Sequence, residues 1–136
     1  MADDDEDDRL MAKEAFEENK LSNSLYFVKD GEELMDYLHK RGDFNDSNAP
    51  TPGLILLDLN MPKKDGRTAL SEIKSSPILK RIPVVILTTS KSEEDIVKSY
   101  DLGVSSFIPK PVTFDNLVNV IKTITGYWFG IVVLPK

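Results

Sequence analysis

The sequence predicts an α/β fold in which a doubly wound parallel sheet carries helices on both faces. Short apolar runs alternate with segments whose apolar residues repeat at helical spacing, and two of the runs are apolar on both faces. Strands buried on both faces are typical of parallel sheets, and right-handed crossovers join strands that alternate with helices. The 136 residues suffice for one domain with a single core.

Each predicted element rests on one of these patterns. Strands are expected at Leu25–Val28, Leu54–Leu57, Pro83–Leu87 and Ser106–Ile108. Helices are expected from about Arg9 to Lys20 and around Leu34–Leu38, Ala69–Ile73, Ile96–Tyr100 and Leu117–Ile124. Ser92 and Thr113 are expected to cap the last two helices. The polar segment Gly42–Gly53 is expected to be a loop.

Composition argues against several functions. The formal net charge of −6 disfavours non-specific nucleic-acid binding, which needs clustered Lys and Arg. The chain has no cysteine, so neither disulfide bonds nor a thiolate metal site can form. No apolar run approaches the length that spans a bilayer, and the acidic N-terminal residues are the opposite of a signal peptide's basic start. The cytoplasm is therefore the expected location.

Polar residues follow three of the apolar runs directly. Asp58 follows the second predicted strand, Thr88 follows the third, and Lys110 comes two residues after the fourth. Near the N-terminus, Asp3 and Asp4 stand where the end of a further strand is expected. Because parallel strands bring their carboxyl ends to one edge of the sheet, where ligands bind in such folds, we expect these side chains to meet.

These residue types suit phosphoryl transfer assisted by a metal ion. Converging carboxylates raise one another's pKa, and a bound cation removes that conflict. Oxygen ligands favour a hard ion such as Mg²⁺. A carboxylate can act as the nucleophile, and a Lys ammonium and a hydroxyl can stabilise the charge on the transferred group. The neighbouring Asp5, Asp7 and Asp8 are expected to be surface or capping residues.

Four segments in this order resemble the receiver domains of response regulators in two-component signalling. In chain order they are Ala2–Asp5, Leu56–Pro62 with Asp65-Gly66, Pro83–Thr88 and Phe107–Pro111, and together they span nearly the whole chain. The resemblance implies a flavodoxin-like, five-stranded parallel sheet with strand order 2-1-3-4-5. It also implies phosphorylation by a sensor histidine kinase and signalling to a downstream protein or phosphotransfer partner. Apart from its own phosphorylation and dephosphorylation, no enzymatic activity is implied.

The resemblance implies a role for each matching residue. Asp58 is the phosphoacceptor, and Asp3, Asp4, Asp58 and the backbone carbonyl of Asn60 hold Mg²⁺. Thr88 and Lys110 bind the phosphoryl oxygens, the Lys110–Pro111 peptide is cis, and Thr88 and Phe107 form the switch.

A closer resemblance is to the stand-alone regulators that partner bacterial phytochromes. It is carried by the loop Gly42–Gly53, by Lys63–Arg67 and by the tail Tyr127–Pro135. It implies a phytochrome as the kinase and a homodimer. The net charge and the lack of a long apolar run predict no direct contact with nucleic acid or membrane. We expect the receiver domain to occupy residues 1–126. Residues 127–136 are expected to form an extension that packs on the domain or at a dimer interface.

The sequence departs from the family at the first strand. Only Met1 and Ala2 precede the acidic pair, and a missing strand would leave two ladders of backbone groups unpaired inside the sheet. The favoured explanation is that the given sequence starts late within the domain. The other is that the β-branched run Ile131–Leu134 pairs with the sheet or with a second subunit.

Three other functions compete with the phosphorylated switch. One is an interaction module on the same fold that works without phosphorylation, although every part of an acceptor site is present. Another is an aspartyl phosphatase, which needs an acid/base where Asn60 stands, and an amide cannot transfer protons. The last is a flavodoxin-type electron carrier, whose phosphate loop would be repelled by the successive aspartates near the N-terminus.

Overall fold

The computed structural model describes residues 1–19, 24–44, 50–110 and 113–125. In chain order the regular elements are α1 (Glu6–Glu18), α2 (Gly31–His39), β1 (Ile55–Leu57), α3 (Gly66–Ser75), β2 (Val84–Thr88), α4 (Glu93–Asp101), β3 (Ser106–Pro109) and α5 (Phe114–Thr125). Single 3₁₀ turns cover Gly42–Phe44 and Leu79–Arg81. In these described segments, every helix is too short or too polar to cross a membrane.

The three regular strands form a parallel sheet in the order β1-β2-β3. Ile55 pairs with Val84, and Val85 pairs with Ser106. Every residue of β2 is buried, as the prediction of a strand apolar on both faces requires.

Residues before β1 extend the sheet by single bridges. Ala2 forms parallel bridges with both Val28 and Leu57. Its amide donates to the carbonyl of Leu56 at 2.8 Å, and the Val28 amide donates to the Met1 carbonyl at 3.0 Å. The order across the sheet is therefore Val28, Ala2, β1, β2 and β3, which is the predicted 2-1-3-4-5 arrangement.

The prediction of a strand over Leu25–Val28 was wrong in extent, because only Val28 takes part in a bridge. The reason is geometric: a ladder needs two partners, and the bridging partner of Val28 is the single residue Ala2. The proposed pairing of Ile131–Leu134 lies outside the described residues.

The helices begin at side chains that accept hydrogen bonds from the free amides of the first turn. Asp5 caps α1, Asp30 caps α2, Asp65 caps α3, Ser92 caps α4, and the Thr113 hydroxyl accepts from the Asn116 amide at the start of α5. The caps predicted at Ser92 and Thr113 are confirmed. Helix α1 begins three residues before the predicted Arg9, because Asp5 supplies the cap and acidic residues are favoured in the first turn.

The core has two parts, one on each face of the sheet. Val84 and Ile86 of β2 belong to a cluster that includes apolar residues of α2 and α3. Leu87 belongs to a second cluster with apolar residues of α1 and α5. Successive residues of a strand point to opposite faces, so helices cover both sides, as predicted.

Candidate functional site

The predicted strand-end residues meet at one edge of the sheet. Asp58 directly follows β1, Thr88 ends β2, Lys110 directly follows β3, and Asp3 directly follows the bridging Ala2. All four are buried, Asp3 and Thr88 completely. Buried polar side chains must find partners, and the described residues hold no fully buried side-chain nitrogen or oxygen atom without a hydrogen bond.

Lys110 contacts three aspartates at this edge of the sheet. Its Nζ lies 2.5 Å from Asp3 Oδ2, 2.7 Å from Asp8 Oδ2 and 3.3 Å from Asp58 Oδ2. These are charge-assisted hydrogen bonds in a site that is largely closed to water. The ammonium thus holds together the N-terminal acidic segment, helix α1 and the end of β1.

The carboxylates also converge on a common point. Asp3, Asp4 and Asp58 each offer an oxygen, and these oxygens all lie within 4.8 Å of one another. Asp3 and Asp58 are buried, whereas Asp4 is exposed. This set of hard oxygen donors, close together and partly open to solvent, fits a divalent cation such as Mg²⁺.

The charges of the site are not balanced by Lys110 alone. Burial raises the pKa of Asp3, and hydrogen bonds with Lys110 and the Asp5 amide only partly oppose that effect. Burial by itself would lower the pKa of Lys110, but hydrogen bonds to Asp3 and Asp8 raise it overall, so the ammonium stays charged at neutral pH. Three carboxylates then share one ammonium, and a cation would relieve their repulsion.

The loops after β1 and β2 donate hydrogen bonds to the Asp58 carboxylate and to the buried Thr88 hydroxyl. The Asn60 amide donates to Asp58 Oδ1 at 3.0 Å, and the Ser90 amide donates to Thr88 Oγ1 at 3.3 Å. The Asn60 side-chain amide donates to Thr89 Oγ1 at 3.1 Å and approaches Thr88 Oγ1 at 3.5 Å. The carboxylate and the hydroxyl are therefore oriented by their own loops.

The loop after β1 is pressed against the start of α3. The Gly66 amide donates to the Leu59 carbonyl at 3.0 Å. A Cβ atom on Gly66 would lie 2.1 Å from the backbone oxygen of Asp58 and 2.6 Å from the Cα atom of Leu59. Only glycine allows this approach, so Gly66 is part of what places Asp58.

Phe107, the predicted switch residue, lies on β3. Its side chain is partly buried against the larger core cluster, and its amide donates to the Tyr100 hydroxyl of α4 at 3.2 Å. The predicted cis peptide between Lys110 and Pro111 lies outside the described residues, since these include Lys110 but not Pro111.

Sequence reasoning missed two features of the site. Asp8, expected at the surface or in a cap, contacts Lys110 because one turn of α1 carries it back over the strand ends. Arg67 at the start of α3 forms a two-pronged ion pair with Asp95 of α4. Arg67 and Asp95 are 28 residues apart, and no local sequence pattern predicts their contact. For Asp8, the only signal in the sequence was its spacing from Asp3 within an acidic run.

Comparison with known proteins identifies the class of protein that this site and fold define. Residues 1–122 match the response regulator receiver domain. The match covers most of the chain, and the chain belongs to this family. It is therefore a response regulator receiver domain of two-component signalling.

The most similar proteins include regulators associated with phytochromes. Response regulator Rcp1 of Synechocystis sp. is 40% identical over 135 residues, which are 99% of this chain and 90% of Rcp1. The phosphorylated cyanobacterial phytochrome response regulator RcpA is 44% identical, with a TM-score of 0.89 over 99% of this chain and 95% of that structure. The Mn²⁺-bound form of Rcp1 gives a TM-score of 0.88 at 40% identity over 99% of this chain and 96% of that structure. These similarities confirm the resemblance predicted from the sequence.

Proposed function

We propose that this receiver domain is switched by transfer of a phosphoryl group from a sensor histidine kinase to Asp58. The observation that carries the proposal is the convergence of Asp3, Asp58 and Lys110 at the strand ends. RcpA, a similar protein, was crystallised in its phosphorylated form. The similarity to phytochrome regulators supports a phytochrome as the kinase. We place the protein in the cytoplasm and assign it no enzymatic activity beyond its own phosphorylation and dephosphorylation.

We assign Mg²⁺ as the resident cation, held by Asp3, Asp4, Asp58 and the backbone carbonyl of Asn60. Support comes from the three clustered carboxylates and from Rcp1, a similar protein with a Mn²⁺-bound structure. Oxygen-only donors that leave room for water and phosphate suit Mg²⁺. When bound, the ion supplies positive charge that offsets the negative charge developing on the transferred group.

The residues of this chain perform the remaining chemistry. An Oδ atom of Asp58 attacks the phosphorus of a phosphohistidine, a phosphorus–oxygen bond forms, and the phosphorus–nitrogen bond to the histidine breaks. Lys110, whose Nζ lies 3.3 Å from Asp58 Oδ2, is placed to neutralise a phosphoryl oxygen. The Thr88 hydroxyl, held at the end of β2, is placed to donate to another.

Thr88 and Phe107 would carry the effect of phosphorylation from Asp58 to the surface of the protein. Movement of the Thr88 hydroxyl toward a phosphoryl group would pull on the loop after β2, which leads into α4. Phe107 on the adjacent strand contacts α4 through its backbone amide. Phosphorylation would thus bias a pre-existing equilibrium in the surface formed by β3 and α4, where a homodimer partner or downstream protein can bind.

The test is phosphorylation by a small donor in place of a kinase. The protein is incubated with acetyl phosphate and MgCl₂, and its intact mass is compared with that of Asp58→Asn. The wild type should gain the mass of one phosphoryl group, whereas Asp58→Asn or excess EDTA should prevent the gain. Asp36→Asn, which changes an aspartate on α2 that pairs with Arg41, should be labelled as the wild type is.

Two results would contradict the proposal. Labelling of Asp58→Asn would move the acceptor to another residue. An unlabelled wild type that still binds its downstream partner would favour the interaction module that works without phosphorylation.

A further inference from the structure

Arg67 connects the loop after β1 to the first turn of α4. Its Nε donates to Asp95 Oδ1 at 2.7 Å, and its Nη2 donates to Asp95 Oδ2 at 2.6 Å. The Asp95 side chain is only 13% exposed, which places this pair among partly buried ones rather than among loose surface contacts. A two-pronged bond between guanidinium and carboxylate fixes both position and orientation.

Both ends of this ion pair reach the acceptor site. Arg67 Nη2 also donates to Asn60 Oδ1 at 3.2 Å, and the backbone amide of Asn60 donates to Asp58. On the other side, the Ser90 hydroxyl donates to Asp95 Oδ2 at 2.5 Å, and the Ser90 amide donates to the Thr88 hydroxyl.

The pair is itself well anchored. Arg67 Nη1 donates to both carboxylate oxygens of Asp65 and to the Leu59 carbonyl. Asp95 lies in the first turn of α4, where a negative charge is favoured by the helix dipole. Neither partner can therefore swing away without losing several hydrogen bonds.

We propose that Arg67 is a positioning residue whose bond to Asp95 sets how long the phosphoryl group stays on Asp58. The inference rests on the proposed function, because it concerns the product of that reaction. In hydrolysis, a water oxygen attacks phosphorus and the bond from phosphorus to Asp58 Oδ breaks. Inorganic phosphate leaves, the carboxylate is regenerated, and one proton passes to solvent.

The Arg67–Asp95 ion pair, called the clamp from here on, acts on this step by holding the side chains of Asn60 and Ser90 next to Asp58 and Thr88. Asp58 is nearly closed to solvent, whereas Asn60 is exposed and Ser90 is half-buried beside it. Both residues bond to the site, Asn60 to Asp58 and Ser90 to Thr88, and the proposal assigns to their side chains the control of how water approaches phosphorus. While Arg67 and Asp95 hold them, their motion is restricted and hydrolysis is slow; when the clamp is cut, water reaches the phosphorus more often.

The experiment measures the decay of the phosphorylated protein. Wild type, Arg67→Gln, Asp95→Asn and the double variant are phosphorylated with acetyl phosphate, freed of donor, and followed by intact mass in MgCl₂. We expect each single variant to decay roughly fivefold faster, equivalent to about 1 kcal/mol in the barrier. The double variant should decay no faster than either single variant, because both substitutions cut the same bond.

A matched control separates positioning from a general loss of charge. Arg41→Gln removes the arginine of another Arg–Asp pair, which is exposed on α2 and the turn after it, and it should decay at the wild-type rate. Arg67→Lys keeps the charge but not the two-pronged geometry, and it should fall between wild type and Arg67→Gln. Urea unfolding of each variant confirms that decay is compared among folded proteins.

The outcomes distinguish this inference from the proposed function. A wild type that takes no phosphoryl group refutes the proposed function itself. A labelled wild type whose Arg67→Gln variant decays at the same rate refutes only the clamp, as does a double variant whose acceleration is the product of the two single ones. If Arg67→Gln does not fold, Ser90→Ala carries the test, since it removes one link to Asp95, and an unchanged decay there refutes the clamp as well.

Discussion

Replacing Lys110 with Met removes the ammonium that contacts Asp3, Asp8 and Asp58, and leaves a side chain of similar length. Removing one partner of a buried ion pair typically costs 3–5 kcal/mol, because the remaining charge is left buried without compensation. Asp3 is completely buried and Asp58 nearly so, whereas Asp8 is about one-third exposed and can turn to water. We therefore expect a loss near the lower end, about 3 kcal/mol in the free energy of unfolding.

The assay is urea unfolding of wild type and Lys110→Met, first in EDTA and then with MgCl₂. Magnesium should stabilise both proteins, since a ligand that binds only the folded state shifts the equilibrium toward it. The gain should be larger for Lys110→Met, because its carboxylates have lost the competing ammonium and repel one another more strongly.

A second lysine provides the control. Lys98 pairs with Glu94 on the surface of α4, where both side chains are about 70% exposed. Lys98→Met should leave the free energy of unfolding close to that of wild type, as is usual for exposed pairs within a helix. Equal stabilities of Lys110→Met and Lys98→Met in EDTA would refute the reasoning. They would mean that loss of the Lys110 ammonium leaves no carboxylate of the cluster buried without a compensating charge.

Two further predictions concern the surroundings of the site. Gly66→Ala should destabilise by about 2–4 kcal/mol and slow phosphorylation, because its Cβ would lie 2.1 Å from the Asp58 backbone oxygen. Gly42→Ala, at φ +58° with nothing within 4 Å, should cost only about 1 kcal/mol and leave phosphorylation unchanged; equal costs in urea unfolding would disprove the steric argument. Hydrogen bonds from Arg67 lower the pKa of Asp95 from 3.8 to about 2, so the stability they contribute is complete above pH 3.8 and is lost as the pH falls toward 2. Because Arg67 is 39% exposed, we expect only about 1 kcal/mol, measured as the acid-unfolding difference between wild type and Asp95→Asn; identical acid profiles would contradict it.

Local patterns predicted the parts of the fold that local physics controls. The apolar runs around Ile55–Leu57 and Val84–Thr88 form strands because both faces are buried, and Ser92 begins α4 because its hydroxyl satisfies a free amide. The run Leu25–Val28 is also apolar, but only Val28 forms a bridge. Its extent depended on how much partner strand lies beside it, which composition does not encode.

The sequence by itself determined which polar side chains meet at the edge of the sheet. Asp58, Thr88 and Lys110 stand at the ends of strands, and parallel strands bring such ends together whatever the details of packing. Only the tertiary structure decided that Asp8 shares Lys110, and that Arg67 joins Asp95. Those contacts depend on how each helix is rotated and placed over the sheet, and the packing of the whole core sets that rotation.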